Sequence, residues 1–135
     1  MKKFWECKQS ADQAEADIYI FGEITSFKWD ESDTTASSFQ KDLKGLGDVK
    51  KINLHVNSPG GSVFEGIAIG NMLKQHKAYV TAYVDALAAS IASVIVVSCD
   101  KVIMPENSMM MIHNPWSFAI GNANELRKQA DDLDR

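Results

Sequence analysis

Residues 51–64, KINLHVNSPGGSVF, constrain this chain more than any other stretch. Ile52, Leu54 and Val56 alternate with Asn53, His55 and Asn57, a period of two that predicts a strand with one apolar face. The strand runs into Ser58-Pro59-Gly60-Gly61, a turn that no ladder continues through. Ser62-Val63-Phe64-Glu65 then has the spacing of a capping box, so a helix opens at once, with Phe64, Ile67, Ala68 and Met72 expected on one face. A strand delivered into a helix through a tight turn is half of a βαβ unit.

The rest of the chain repeats that alternation. Residues 17–24, DIYIFGEI, predict an earlier strand after a polar lead-in. Ala36, Phe39, Leu43 and Leu46 predict a helix, capped by Ser32 or Asp33 and stopped by Gly47. Residues 79–84 read as a third strand. Residues 90–99 are apolar all round and predict a helix buried on every side. Residues 102–104 and 109–113 read as short strands around Pro105, the methionines filling core. Residues 122–135 predict a last helix, capped by Asn122 and Glu125, with a narrow stripe of Ala123, Leu126, Ala130 and Leu133 that suits one partner helix. Connections of this length between strands favour a mostly parallel α/β sheet with right-handed crossovers. At 135 residues the chain is expected to be a single domain, residues 1–135, whose last helix is cut short at the C-terminus.

Composition narrows the function classes. A net charge of −4 with no basic stripe argues against nucleic acid or an anionic membrane as partner. The longest apolar stretch, residues 86–99, holds three serines and is too short to span a bilayer. Cys7 and Cys99 form no CxxC and are expected to be free thiols, and His55, His76 and His113 lack metal-ligand spacing.

Three places fit one chemistry. Pro59-Gly60-Gly61 turns the backbone with N–H groups exposed, just ahead of a helix N-terminus, which suits an oxyanion. Ser90, in Ala88-Ala89-Ser90-Ile91, sits where a strand passes into a helix, as a nucleophile elbow does, with the Ile91 amide beside it as a second donor. His113, ahead of Asn114-Pro115, offers an imidazole to take a serine proton. Taken singly, these are a tight turn, a helix cap and a histidine bonded to backbone. His55, on the polar side of its strand, and His76, among lysines, are read as structural.

In order and spacing the three places resemble the ClpP-like serine peptidases, and most closely their phage and prophage head-maturation (prohead) members. N-S-P-G-G at 57–61, A-A-S at 88–90, and P-E-N-S followed by M-M-M-I-H-N-P at 105–115 match the family's elements, over a span from about Ile18 to the end. The resemblance implies a ClpP/crotonase-like spiral of βαβ units with a protruding handle helix from about residue 122. It also implies Ser90 as nucleophile, His113 as general base, and Gly61 and Ile91 as oxyanion donors, with no metal or organic cofactor. The implied substrates are polypeptides, phage capsid or scaffold proteins among them. The implied assembly is a homo-oligomeric ring, often stacked in two, in the bacterial cytoplasm, without nucleic acid or membrane.

Two alanines depart from the family pattern: Ala86 and Ala92 stand where it has glycine. The family's triad aspartate follows the handle helix and is expected beyond Arg135, while Asp131, Asp132 and Asp134 read as that helix's solvated face. Three other readings compete. One is a housekeeping Clp proteolytic subunit served by an unfoldase ATPase. Another is a crotonase-like acyl-CoA enzyme, which the pairing of A-A-S with a histidine counts against. The last is an inactive ring-forming paralogue.

Overall fold

The computed structural model describes residues 5–10 and 13–135. In chain order the elements are β1 (Trp5–Ser10), β2 (Gln13–Phe21), α1 (Ala36–Gly45), β3 (Lys51–Ser58), α2 (Val63–Gln75), β4 (Tyr79–Ala89), α3 (Ile91–Val97), β5 (Lys101–Ile103), β6 (Met109–Met111) and α4 (Ala123–Leu133). They form one sheet in the order β1-β2-β3-β4-β5, with β6 also paired to β4. Every pairing is parallel except β1 with β2. The alternating, mostly parallel α/β design is the ClpP-like fold the sequence implies. The antiparallel β1 is made from residues read as a lead-in.

Strand alternation decides the layers. Ala16, Ile18 and Ile20 of β2, Ile52, Leu54 and Val56 of β3, and Val80, Ala82 and Val84 of β4 all point to one buried face. There they join Phe39 and Leu43 of α1, Ile69 and Leu73 of α2, and Ile91, Ala92, Ile95 and Val96 of α3 in a single core. The opposite face is half-buried and polar. His55 stacks between Tyr19 and Tyr83 at 4.9 and 5.0 Å, and its Nδ1 lies 2.8 Å from the Asp85 carboxylate.

Several local expectations need correction. Thr35, not Ser32 or Asp33, caps α1, in a reciprocal box with Ser38. Gly47 does follow α1, at φ +70°. Ser62 stands at the N-cap of α2 but makes no side-chain cap, and the reciprocal half of the box is absent too: the Ser62 amide donates to the Ile24 carbonyl, and the Glu65 carboxylate accepts from the Ala36 amide at the start of α1. The buried face of α2 is Gly66, Ile69, Gly70 and Leu73, whereas Phe64 is 84% exposed. The helix α3 is not buried on every side, since Val94 and Val97 reach solvent. Met110 packs on the core, but Met109 and Met111 are exposed. The Asn122–Glu125 capping box of α4 is made in both directions, and α4 buries none of its residues. Among the described residues no helix is long and apolar enough to cross a membrane.

Candidate active site

Four of the parallel strands deliver their carboxyl ends to one place, the usual position of a site in a parallel sheet. Past β2 lie Gly22-Glu23-Ile24, past β3 Pro59-Gly60-Gly61, past β4 Ser90, and past β6 Ile112-His113. Between them is an open cavity of about 820 Å³ that Ser90, Ile91, Gly61 and His113 all line. The structure therefore brings together all four residues singled out from the sequence.

The glycine turn is held from both sides. The Ile24 amide donates to the Gly60 carbonyl at 2.9 Å, the Ser62 amide donates to the Ile24 carbonyl at 2.7 Å, and the Gly60 amide donates to the buried Ser58 hydroxyl at 3.1 Å. Gly60 at φ +91° and Gly61 at φ +142° occupy backbone regions that side chains avoid. Space forbids a side chain as well. A Cβ on Gly60 would meet the Ala89 carbonyl and Ser90 Cβ, and one on Gly61 would collide with the Ile24 carbonyl. Those bonds leave the Gly61 amide without a backbone acceptor among the described residues.

Ser90 is the only non-glycine residue at positive φ among those described, with φ 56° and ψ −128°. Its amide donates to the Met111 carbonyl at 2.8 Å, and its carbonyl accepts from the Ser93 amide at 3.0 Å and the Ser93 hydroxyl at 2.6 Å. This is the sharp strand-to-helix turn that lifts a side chain clear of a sheet. Ile91 opens α3, so its N–H belongs to the first turn and has no intrahelical partner. Ala86 and Ala92 are accommodated, Ala92 fully buried and Ala86 exposed.

The His113 ring is exposed, with Nδ1 2.7 Å from the Asn114 carbonyl oxygen. A carbonyl can only accept, so that bond requires the proton on Nδ1 and leaves Nε2 with the lone pair. No hydrogen bond joins the ring to the Ser90 hydroxyl, although both line the cavity. Neither His55 nor His76 lines this cavity. Burial, with Asp100 adding to it, pushes the Cys99 thiol up to about 12, so it stays protonated and is no competing nucleophile. The Cys7 side chain lies outside the described residues.

A sequence model of the Clp protease family matches residues 14–135, nearly the whole chain. The chain belongs to the Clp protease family. Among Clp relatives, the ATP-dependent Clp protease proteolytic subunit of Leuconostoc citreum is 35% identical over 104 residues, covering 69% of this chain and 52% of its own length. The subunit of the same name from Bacteroides fragilis is 34% identical over 109 residues, covering 76% of this chain and 52% of its own. Proteolytic subunit 1 of a Synechococcus species is 36% identical over 86 residues, 62% of this chain and 44% of its own. This chain thus spans about half the length of the Clp subunits it matches.

The Clp-type cavity also contains residues that sequence reading passed over. Glu23 follows Gly22 past the end of β2, and Ser93 stands one turn into α3. Ile112, Pro115 and Trp116 form an apolar wall beside His113. The end-of-strand rule that located Ser90 applies equally to Glu23 and was the available signal. Nothing in the pattern around Ser93 separates it from the other small residues of α3.

Proposed function

We propose that the protein is a serine-type endopeptidase. The observation that carries this reading is Ser90, held at positive φ between β4 and α3 on a cavity it shares with His113. In this mechanism His113 Nε2 takes the Ser90 proton as the hydroxyl attacks a peptide carbonyl. The Gly61 and Ile91 amides, free of other acceptors, receive the oxyanion that forms. The imidazolium then returns its proton to the leaving amine, and water repeats the sequence to release the acyl group. The chain's single peptidase domain supplies these four groups. At His113 Nδ1 it presents a neutral carbonyl, which holds the same tautomer as a triad carboxylate would but steadies the imidazolium less.

A fluorophosphonate probe offered to the protein is expected to attach to Ser90, slowly in the 135-residue chain because of that neutral acceptor. Peptide mapping by mass spectrometry reads the site. Adduct that persists in Ser90→Ala removes Ser90 as nucleophile.

For substrates, the motif resemblance supports phage capsid or scaffold proteins processed in the bacterial cytoplasm by rings of this subunit. The relatives named above, each a subunit of an ATP-dependent protease, favour equally a subunit fed by an unfoldase ATPase. Cleavage of an unfolded capsid precursor without nucleotide supports the first reading. A strict need for an ATPase and ATP supports the second.

A further inference from the structure

The cavity holding Ser90 is walled mainly by apolar groups, Val63, Val94, Ile112 and Trp116 among them. Two ordinary charges stand on its lining, Glu23 and Arg135. Arg135, just past the end of α4, faces Asp132 at 3.8 Å, whereas the Glu23 carboxylate has no hydrogen bond or ion pair among the described residues. Its position is nevertheless fixed. The Glu23 carbonyl accepts from the Thr34 amide at 2.8 Å, the Thr25 amide donates to the Thr34 carbonyl at 2.9 Å, and Ile24 is bridged to Gly60 and Ser62 as described above. The residue bearing this carboxylate is therefore pinned one position from the loop that carries Gly61. An exposed, unpartnered negative charge on a fixed backbone beside apolar walls is a place for a cation brought by the substrate.

We propose that Glu23 is a specificity-determining residue that selects polypeptides carrying lysine or arginine close to the scissile bond. This rests on Ser90 being the nucleophile. The apolar walls take neighbouring side chains, while the carboxylate discriminates by charge. Discrimination by an exposed pair is modest, about fivefold between a cation and a neutral chain of equal length. Like-charge repulsion disfavours an acidic residue at the same position.

The test uses the protein and quenched fluorescent peptides carrying lysine, norleucine or glutamate at each position flanking the cleaved bond, with fluorophosphonate labelling of Ser90 followed in parallel. The expected result is one position where lysine exceeds norleucine about fivefold in kcat/KM and glutamate falls below it. The preference should shrink in high salt, vanish in Glu23→Gln and reverse in Glu23→Lys; as a ratio within each variant, it is independent of that variant's overall rate. A protein that labels at Ser90 but shows no charge preference, or keeps it in Glu23→Gln, overturns the role of Glu23 alone. A protein that neither labels at Ser90 nor cleaves overturns the peptidase reading and the specificity with it.

Discussion

A side-chain-bearing residue at φ 56° and ψ −128° holds about 1–3 kcal/mol of backbone strain, and three hydrogen bonds keep Ser90 there. Two of the three come from Ser93, which is 3% exposed and bonds the Ser90 carbonyl through both its amide and its hydroxyl. Ser93 is therefore a positioning residue, acting through Ser90 rather than on substrate. One such bond is worth about 1 kcal/mol; felt in full at the transition state, that is about fivefold in kcat. Ser93→Ala is expected to lower kcat and the rate of fluorophosphonate labelling by about that factor while KM holds. Ser93→Cys, a weaker donor of the same shape, should fall between. A rise in KM with kcat unchanged would mean that Ser93 contacts substrate instead. Gly61→Ala makes a poor probe of the oxyanion donor, because its new methyl group runs into the Ile24 carbonyl before any chemistry is tested.

Between elements, the join from α2 to β4 carries a pH response. His76 closes α2, and its Nδ1 accepts from the Ala78 amide at 3.0 Å. Burial first, and then the neighbouring Lys77 charge, lowers its proton affinity in the folded state. The unfolded chain therefore takes up this proton first, at about pH 6.5. The stability due to the neutral ring is complete above that pH and is lost as pH falls through the window below it. Asp42 works in the opposite sense and further down: burial raises its carboxyl, with Lys28 opposing, so protonation favours the folded state. Urea midpoints between pH 7.5 and 5.5 should fall more steeply for the parent than for His76→Gln. Parallel slopes would remove His76 from this role. The same join shows what sequence periodicity could and could not reveal. It located β3, β4 and both flanking helices, because burial on one side of a strand or helix repeats at a fixed interval. It misassigned the face of α2, because that helix is seated through Gly66 and Gly70, where a Cβ would run into Ile91 and crowd Ser98. A pattern of apolar side chains cannot report a contact made by their absence. It read Ser62 and Glu65 as a local box for a similar reason, since Glu65 is spent on a helix 29 residues earlier in the chain.

For the whole molecule, the site was legible because its parts are backbone events with few permitted residues: paired glycines at positive φ, a serine at a strand-to-helix corner, a histidine at a strand end. Glu23 and the apolar wall were not, since any exposed loop residue looks alike until the strands are assembled. The apolar surface left over argues for company. Phe64, Trp116, Phe118 and Ile120 are exposed, as is Leu126 on α4, where Leu133 is half-buried. Ring assembly through the α4 stripe predicts that replacing Leu126 and Leu133 together by Glu yields a smaller species in analytical ultracentrifugation with unchanged circular dichroism. Identical sedimentation would mean that the stripe is not an intersubunit contact.

Ser90 and His113 hang from one ladder: Leu87, Ala88 and Ala89 pair with Met109, Met110 and Met111, and the Ser90 amide closes the next rung on Met111. In such a ladder a slip of one residue turns each side chain to the opposite face. The turn at 104–108 feeds it from outside and is largely exposed, so it can lengthen or shorten across generations at little cost. A residue gained or lost between Met109 and His113 would swing the imidazole out of the cleft. Tolerance to insertion therefore changes abruptly within ten residues of chain, and the boundary falls at Met109.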